Sequence, residues 1–88
     1  MDSILIVGLG SIGRRHARVF KAAGIRHIGG ADLRQDRLDQ AREEIGLTDL
    51  SLDYRAMLEK NNYDVVQVTL PTAFHTPVAQ AAVEAGCH

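Results

Sequence analysis

Three glycines at fixed spacing stand near the start of the chain, in the run GLGSIG over residues 8–13. The run matches G-x-G-x-x-G, a pattern that brings backbone N–H groups close to a phosphate. In that role Gly8 allows a tight turn, Gly10 lets the backbone approach a pyrophosphate, and Gly13 lets a helix pack closely on a strand. A glycine turn with a purely structural function is the alternative.

The residues on either side of this run favour phosphate binding. Ile4 to Val7 is an unbroken β-branched and aliphatic run, typical of a strand buried on both faces. Residues 12–23 carry apolar side chains at helical spacing, so a strand, a glycine turn and a helix follow one another, as a pyrophosphate site requires. The N–H groups of Ser11 and Ile12 would face the anion at the positive end of the helix dipole.

An acidic residue, Asp32, follows Gly10 by about twenty residues and ends the second predicted strand. A carboxylate there accepts hydrogen bonds from a ribose 2′-hydroxyl and repels a 2′-phosphate, which favours NAD over NADP. An N-cap for the helix that begins near Gln35 is the alternative function of Asp32, and the two functions are compatible. Arg34 would stack on adenine, pair with a 2′-phosphate or lie in solvent, and it keeps NADP as an alternative coenzyme.

The first predicted helix has an apolar face and a group of cations. The apolar positions are Ile12, His16, Val19, Phe20 and Ala23. We expect this face to pack on the sheet, with His16 as a hydrogen-bonded core residue and not a catalyst. Arg14, Arg15 and Arg18 are expected on a solvated face. Because positive charge opposes the dipole in the first turns of a helix, a nearby pyrophosphate is the alternative for Arg14 and Arg15.

The segment after the last predicted strand supplies further candidates, which are Leu70, Pro71, Thr72 and His75. Loops at the carboxyl ends of parallel strands position ligand groups, so the first three are expected to border the nicotinamide end of a dinucleotide. His75 is either a ligand contact suited to proton transfer or a residue that orients the loop and the helix after it.

The elements that must position these residues alternate between strands and helices. The predicted strands are residues 4–7, 25–31, 47–52 and 65–70, and the predicted helices are residues 12–23, 35–45, 54–60 and 77–85, the last with Thr76 as its N-cap. Parallel strands need crossover connections, and these are right-handed. We therefore predict an α/β fold: a doubly wound parallel sheet of order 3-2-1-4, incomplete at its C-terminal edge. Its ligand crevice is expected at the carboxyl ends of strands one and four.

Composition excludes several classes of protein. The 88 residues form at most one domain, and ten Lys+Arg against eleven Asp+Glu predict no nucleic-acid partner. Neither a signal segment nor a membrane-spanning run is present in the sequence, so we expect a cytoplasmic protein with no membrane partner. Cys87 and the adjacent His88 have no further ligands at metal-site spacing, so no metal and no nucleophile is predicted. Because the sequence stops directly after an apparent helix end, residues 1–88 are expected to be part of a longer protein.

Together these segments resemble a known family. Residues 4–17, Asp32, residues 70–75 and residues 82–88 are similar to the N-terminal half of the Gfo/Idh/MocA oxidoreductases, over nearly the whole chain. The resemblance implies that residues 1–88 belong to a Rossmann domain that binds NAD or NADP. It also implies a C-terminal substrate domain, outside this chain, and hydride transfer to or from a sugar, polyol or related CH–OH compound as small-molecule substrate.

The sequence departs from the family pattern after the fourth strand. Leu70-Pro71-Thr72 stands where the family has Thr-Pro-Asn, so Thr72 offers a hydroxyl in place of an amide near the nicotinamide ribose. The Glu-Lys-Pro segment that carries the family's catalytic lysine would follow His88, so no catalytic residue is predicted in the chain.

Two other expectations concern the chain as a whole. A non-catalytic nucleotide-sensing or regulatory module is the alternative function, and a fragment of only structural interest is compatible with both. The exposed edge of the fourth strand predicts self-association into a homo-oligomer.

Overall fold

The computed structural model describes residues 2–69, in which strands and helices alternate. The strands are β1 (Ser3–Val7), β2 (His27–Ala31), β3 (Asp49–Ser51) and β4 (Val65–Val68), and the helices are α1 (Ser11–Ala22), α2 (Gln35–Ile45) and α3 (Tyr54–Lys60). The bounds of α2 and α3 are those predicted from the sequence, whereas β2, β3 and β4 are shorter than predicted. The predicted fourth helix and its N-cap lie outside the described residues.

All pairings in the sheet are parallel, and the strand order is β3-β2-β1-β4, which confirms the predicted fold. In the central strand, Val7 lies opposite Ala31 of β2 and Val68 of β4. Because the strands run in one direction, the segments that follow them emerge at the same edge. The glycine turn after β1 and Asp32 after β2 are therefore neighbours.

The core lies on both faces of β1, as its unbroken apolar run predicts. Leu5 and Val7 pack on the side of α3, while Ile4 and Ile6 pack on the side of α1 and α2. Ile4, Leu5 and Ile6 are fully buried. The central strand is thus fixed from both sides just before the glycine turn begins.

The face of α1 that contacts the sheet differs from the prediction. Gly13 and Ala17 are its buried residues, whereas Ile12 and Val19 are 65% and 59% exposed. His16 is half-buried, with its ring centroid 6.3 Å from that of Phe20, and is not a core residue. The expectation is wrong for Ile12, His16 and Val19, whereas Phe20 packs against the core as expected. The buried positions of α1 are a glycine and an alanine, which a pattern of large apolar residues does not reveal.

Side chains also tie the strands together at the opposite edge of the sheet. The Asp64 carboxylate accepts hydrogen bonds from the backbone N–H groups of Asp2 and Ser3, at 2.8 and 3.1 Å, and these bonds lower the pKa of Asp64. Asp49 Oδ2 lies 2.5 Å from His27 Nε2 and accepts a hydrogen bond from the Tyr63 hydroxyl at 3.0 Å. Among the residues that the structure describes, no helix has the length and apolar character needed to span a bilayer.

Candidate functional site

The glycine turn begins at Gly8, whose φ of 102° lies in the region that favours glycine. Its N–H donates a hydrogen bond to the Ala31 carbonyl at 2.8 Å, so the turn is joined to the end of β2. Leu9 is fully buried, and its side chain lies against Gly30, where a Cβ would be only 2.8 Å from Leu9 Cδ1. The conformation of the turn is therefore fixed by its contacts with the end of β2.

The start of α1 packs directly on this turn. A Cβ on Gly13 would lie 1.9 Å from the Gly8 carbonyl oxygen and 2.9 Å from Thr69 Oγ1. The Thr69 hydroxyl donates a hydrogen bond to that carbonyl oxygen at 2.6 Å. The contact needs a glycine at position 13, as the spacing predicts. Thr69, which binds the turn, was not among the residues predicted from the sequence. Its position directly after the strand beside β1 is the signal that could have identified it.

Gly10 occupies the N-cap position of α1, with φ −68° and ψ −169°. The nearest atoms to a Cβ on Gly10 would be Cζ and Nη1 of Arg37, both at 3.7 Å. Ser11 and Ile12 are exposed, and the first N–H groups of a helix have no acceptor within the helix. The turn thus presents backbone donors at the positive end of the helix dipole, and the atoms nearest to Gly10 belong to the flexible Arg37 side chain.

The Asp32 carboxylate is buried beside this turn, with 4% of its side chain exposed. Its Oδ2 accepts a hydrogen bond from the Leu9 N–H at 2.7 Å, and its Oδ1 accepts one from the Arg34 N–H at 2.9 Å. The alternative prediction of an N-cap for α2 is wrong, because Arg34 occupies that position. Asp32 instead joins the glycine turn to the segment that precedes α2.

Two arginines near Asp32 differ in their contacts. The Arg34 guanidinium forms two hydrogen bonds with the Asp36 carboxylate, at 3.1 and 2.8 Å, and these hydrogen bonds lower the pKa of Asp36. Arg37 was not a sequence candidate, yet its Nη1 lies 3.5 Å from Asp32 Oδ2. The signal for Arg37 in the sequence is a positive charge in the first turn of the helix that begins shortly after Asp32.

The prediction that Arg14 lies on a solvated face is wrong, because only 15% of its side chain is exposed. Its Nη1 donates a hydrogen bond to the Leu9 carbonyl at 2.8 Å, and its Nε donates to Glu44 at 3.0 Å. Arg18 also donates to Glu44, whereas Arg15 is exposed as predicted. Arg14 therefore connects the carbonyl of the glycine turn to α2.

We expect Arg14→Gln to lower the free energy of unfolding by about 1.5–3 kcal/mol, the usual effect of losing hydrogen bonds to a charged group. Urea unfolding followed by far-UV circular dichroism measures the change. Arg15→Gln is the matched control, since it removes the same charge from an exposed neighbour, and we expect it to change stability by less than about 0.5 kcal/mol. Equal effects of the two substitutions would contradict the structural role of Arg14.

The remaining sequence candidates are Leu70, Pro71, Thr72 and His75, and they lie outside the described residues. The structure brings the others to one edge of the sheet: Gly8, Gly10, Ser11, Ile12 and Gly13 in the turn and the start of α1, and Asp32 and Arg34 after β2. Asp32 contacts the turn directly, while Arg34 is directed toward Asp36.

A parallel sheet of order 3-2-1-4, with a glycine turn after β1 and an acid after β2, defines a dinucleotide-binding domain of the Rossmann type. Comparison with known proteins agrees: the model of an oxidoreductase family with an NAD-binding Rossmann fold matches residues 3–88. The chain belongs to this family, Gfo/Idh/MocA, as the sequence resemblance predicts.

Several of the proteins similar to this chain are inositol dehydrogenases. Myo-inositol 2-dehydrogenase of Thermotoga maritima is 31% identical over 84 residues, which are 94% of this chain and 25% of the relative. The structure of scyllo-inositol dehydrogenase from Lactobacillus casei, with bound NAD(H) and scyllo-inositol, superposes with a TM-score of 0.86 at 28% identity, over 100% of this chain and 26% of that one. The structure of myo-inositol 2-dehydrogenase from Lactobacillus plantarum superposes with a TM-score of 0.84 at 31% identity, over 98% of this chain and 26% of that one. The chain spans about a quarter of the length of these relatives.

Proposed function

We propose that this chain is the coenzyme-binding part of an oxidoreductase that moves a hydride between NAD and a CH–OH carbon of a polyol or sugar. The observation that carries the proposal is the 2.7 Å hydrogen bond from the Leu9 N–H to Asp32 Oδ2. It places a carboxylate suited to ribose hydroxyls directly beside a glycine turn suited to a pyrophosphate. The family membership and the inositol dehydrogenases similar to this chain support the same conclusion.

The residues at this edge fit the parts of a dinucleotide. The N–H groups of Ser11 and Ile12 would receive the pyrophosphate, which would approach the backbone at Gly10, and Asp32 would receive the adenosine ribose. We assign the nicotinamide end to Leu70, Pro71, Thr72 and His75, which follow the strand beside β1. When bound, the coenzyme supplies a ring carbon that accepts or donates the hydride.

The rest of the reaction would be carried out by a part of the protein outside residues 1–88. The relatives are about four times as long as this chain, which supports a C-terminal domain that holds the substrate and the catalytic residues. The dehydrogenases to which the chain is similar favour such an enzyme over a non-catalytic regulatory module. A cytoplasmic location and a homo-oligomer formed through the edge of β4 stay predictions.

Titration with NADH tests the proposal. The sequence contains no tryptophan, so nicotinamide fluorescence can be followed without that background. We expect the chain to bind NADH, and we expect Asp32→Asn to raise the Kd at least about tenfold, because a charge-assisted hydrogen bond to the ribose contributes about 1.5–3 kcal/mol.

Asp39→Asn is the matched control, since it removes the same charge from an exposed position on α2, and its Kd is expected to stay within about threefold of the original. Far-UV circular dichroism establishes that each variant is folded. A folded Asp32→Asn variant with unchanged NADH affinity would refute the ribose assignment. A folded original chain that binds neither NADH nor NADPH would refute the proposed function.

A further inference from the structure

The Arg37 guanidinium lies between the two groups to which the proposed function assigns the ribose and the pyrophosphate. Its Nη1 is 3.5 Å from Asp32 Oδ2, and both Nη1 and Cζ are 3.7 Å from the position of a Cβ on Gly10. Arg37 is the third residue of α2, so its backbone is held by the helix while its side chain extends toward the turn. Any ligand that occupies both the ribose site at Asp32 and the pyrophosphate site at Gly10 must therefore contact Arg37.

The charge of Asp32 is what normally excludes a 2′-phosphate from such a site. Here that charge is opposed from three directions. The Leu9 and Arg34 N–H groups bind its two oxygens, and the Arg37 guanidinium adds a full positive charge within ion-pair distance. A carboxylate in these surroundings repels a phosphate less than an isolated carboxylate would.

The two arginines of this segment are not equivalent. Arg34 is bound by both oxygens of Asp36, and this pair lies on the surface, with 61% and 62% of the side chains exposed. Within residues 2–69, the Arg37 side chain donates no hydrogen bond, and its contact with Asp32 is an ion pair at 3.5 Å. Arg37 is 37% exposed, so its donors can turn toward a ligand without disturbing the core.

We propose that Arg37 determines coenzyme specificity by binding the 2′-phosphate of NADP(H), so that this site accepts both NAD(H) and NADP(H). The inference rests on the proposed dinucleotide-binding function. A guanidinium presents parallel N–H donors that match two phosphate oxygens. With NAD(H), Arg37 turns aside and the 2′-hydroxyl donates to Asp32. With NADP(H), Arg37 pairs with the 2′-phosphate beside Asp32.

The test is to measure the Kd of NADH and of NADPH by nicotinamide fluorescence for the original chain and three variants. We expect the original chain to bind NADPH within about tenfold of NADH. Arg37→Gln is expected to weaken NADPH at least about tenfold and NADH by less than about threefold, because only NADPH loses a charge-assisted pair. Arg37→Lys keeps the positive charge and should restore part of the NADPH affinity.

Arg34→Gln is the matched control, as it removes the same charge three residues away, and it should change both affinities by less than about threefold. A loss of NADPH binding in Arg34→Gln but not in Arg37→Gln would overturn the proposal. So would equal weakening of both coenzymes by Arg37→Gln, or a preference of the original chain for NADH above about a thousandfold. In each of these results the original chain still binds NADH, whereas a folded original chain that binds neither NADH nor NADPH contradicts the proposed function itself.

Discussion

Gly13→Ala is expected to lower the free energy of unfolding by about 3 kcal/mol or more, the upper part of the range for overpacked sites. The added methyl would lie 1.9 Å from the Gly8 carbonyl oxygen and 2.9 Å from the Gly8 carbonyl carbon. Both are backbone atoms, so no side-chain rotation relieves the contact, and α1 would have to move away from the turn. Small domains have about 5–15 kcal/mol of stability in total, so much of the reserve would be lost.

Urea unfolding of the original chain and of Gly13→Ala, followed by far-UV circular dichroism, measures this loss of stability. Gly10→Ala is the matched control, because it adds the same methyl three residues earlier, at the N-cap of α1. Its backbone has φ −68°, which alanine adopts freely, and the nearest atoms belong to the flexible Arg37 side chain at 3.7 Å. If Gly13→Ala proved as stable as Gly10→Ala, the close contact between α1 and the turn would not be required by the fold.

The second large effect concerns binding. Gly10→Ala is expected to leave stability within about 0.5 kcal/mol and to weaken NADH and NADPH by about a hundredfold or more, a change of about 2.7 kcal/mol. Its methyl would stand where the proposed site brings the pyrophosphate against the backbone. Because the pyrophosphate is common to both coenzymes, the two affinities should fall together, unlike the selective effect expected for Arg37.

Fluorescence titration with each coenzyme measures the loss. Ser11→Ala is the control, because it removes an exposed hydroxyl but keeps the backbone N–H that the site would use, and we expect a change below about threefold. A Gly10→Ala variant with the original affinity would place the pyrophosphate elsewhere.

Much of the fold could be predicted because its signals are local. The apolar run at residues 4–7 marks the central strand, and Gly46, with φ 81°, ends α2 where the sequence places a stop. From alternating strands and helices the strand order follows through general rules of connection. The buried face of α1 could not be read in this way, because Gly13 and Ala17 contribute close backbone approach and almost no apolar surface of their own.

The candidate site was predictable in its residue types and less so in its contacts. The glycines and Asp32 are recognised by spacing, and the structure brings them together. Long side chains were harder, since their partners depend on tertiary distances. Arg14 binds Glu44, thirty residues away, and the Arg37 side chain lies near both Asp32 and Gly10, a contact that the residue pattern does not show.

Three separate elements each fix one polar group of the glycine turn. Thr69 after β4 binds the Gly8 carbonyl, Asp32 after β2 binds the Leu9 N–H, and Arg14 of α1 binds the Leu9 carbonyl. The loop is therefore preorganised by the fold, and a ligand that arrives does not have to order it. Ordering a flexible loop costs a binder entropy that subtracts from affinity. In this chain that cost is met during folding, so affinity for a dinucleotide and stability of the sheet depend on the same three side chains.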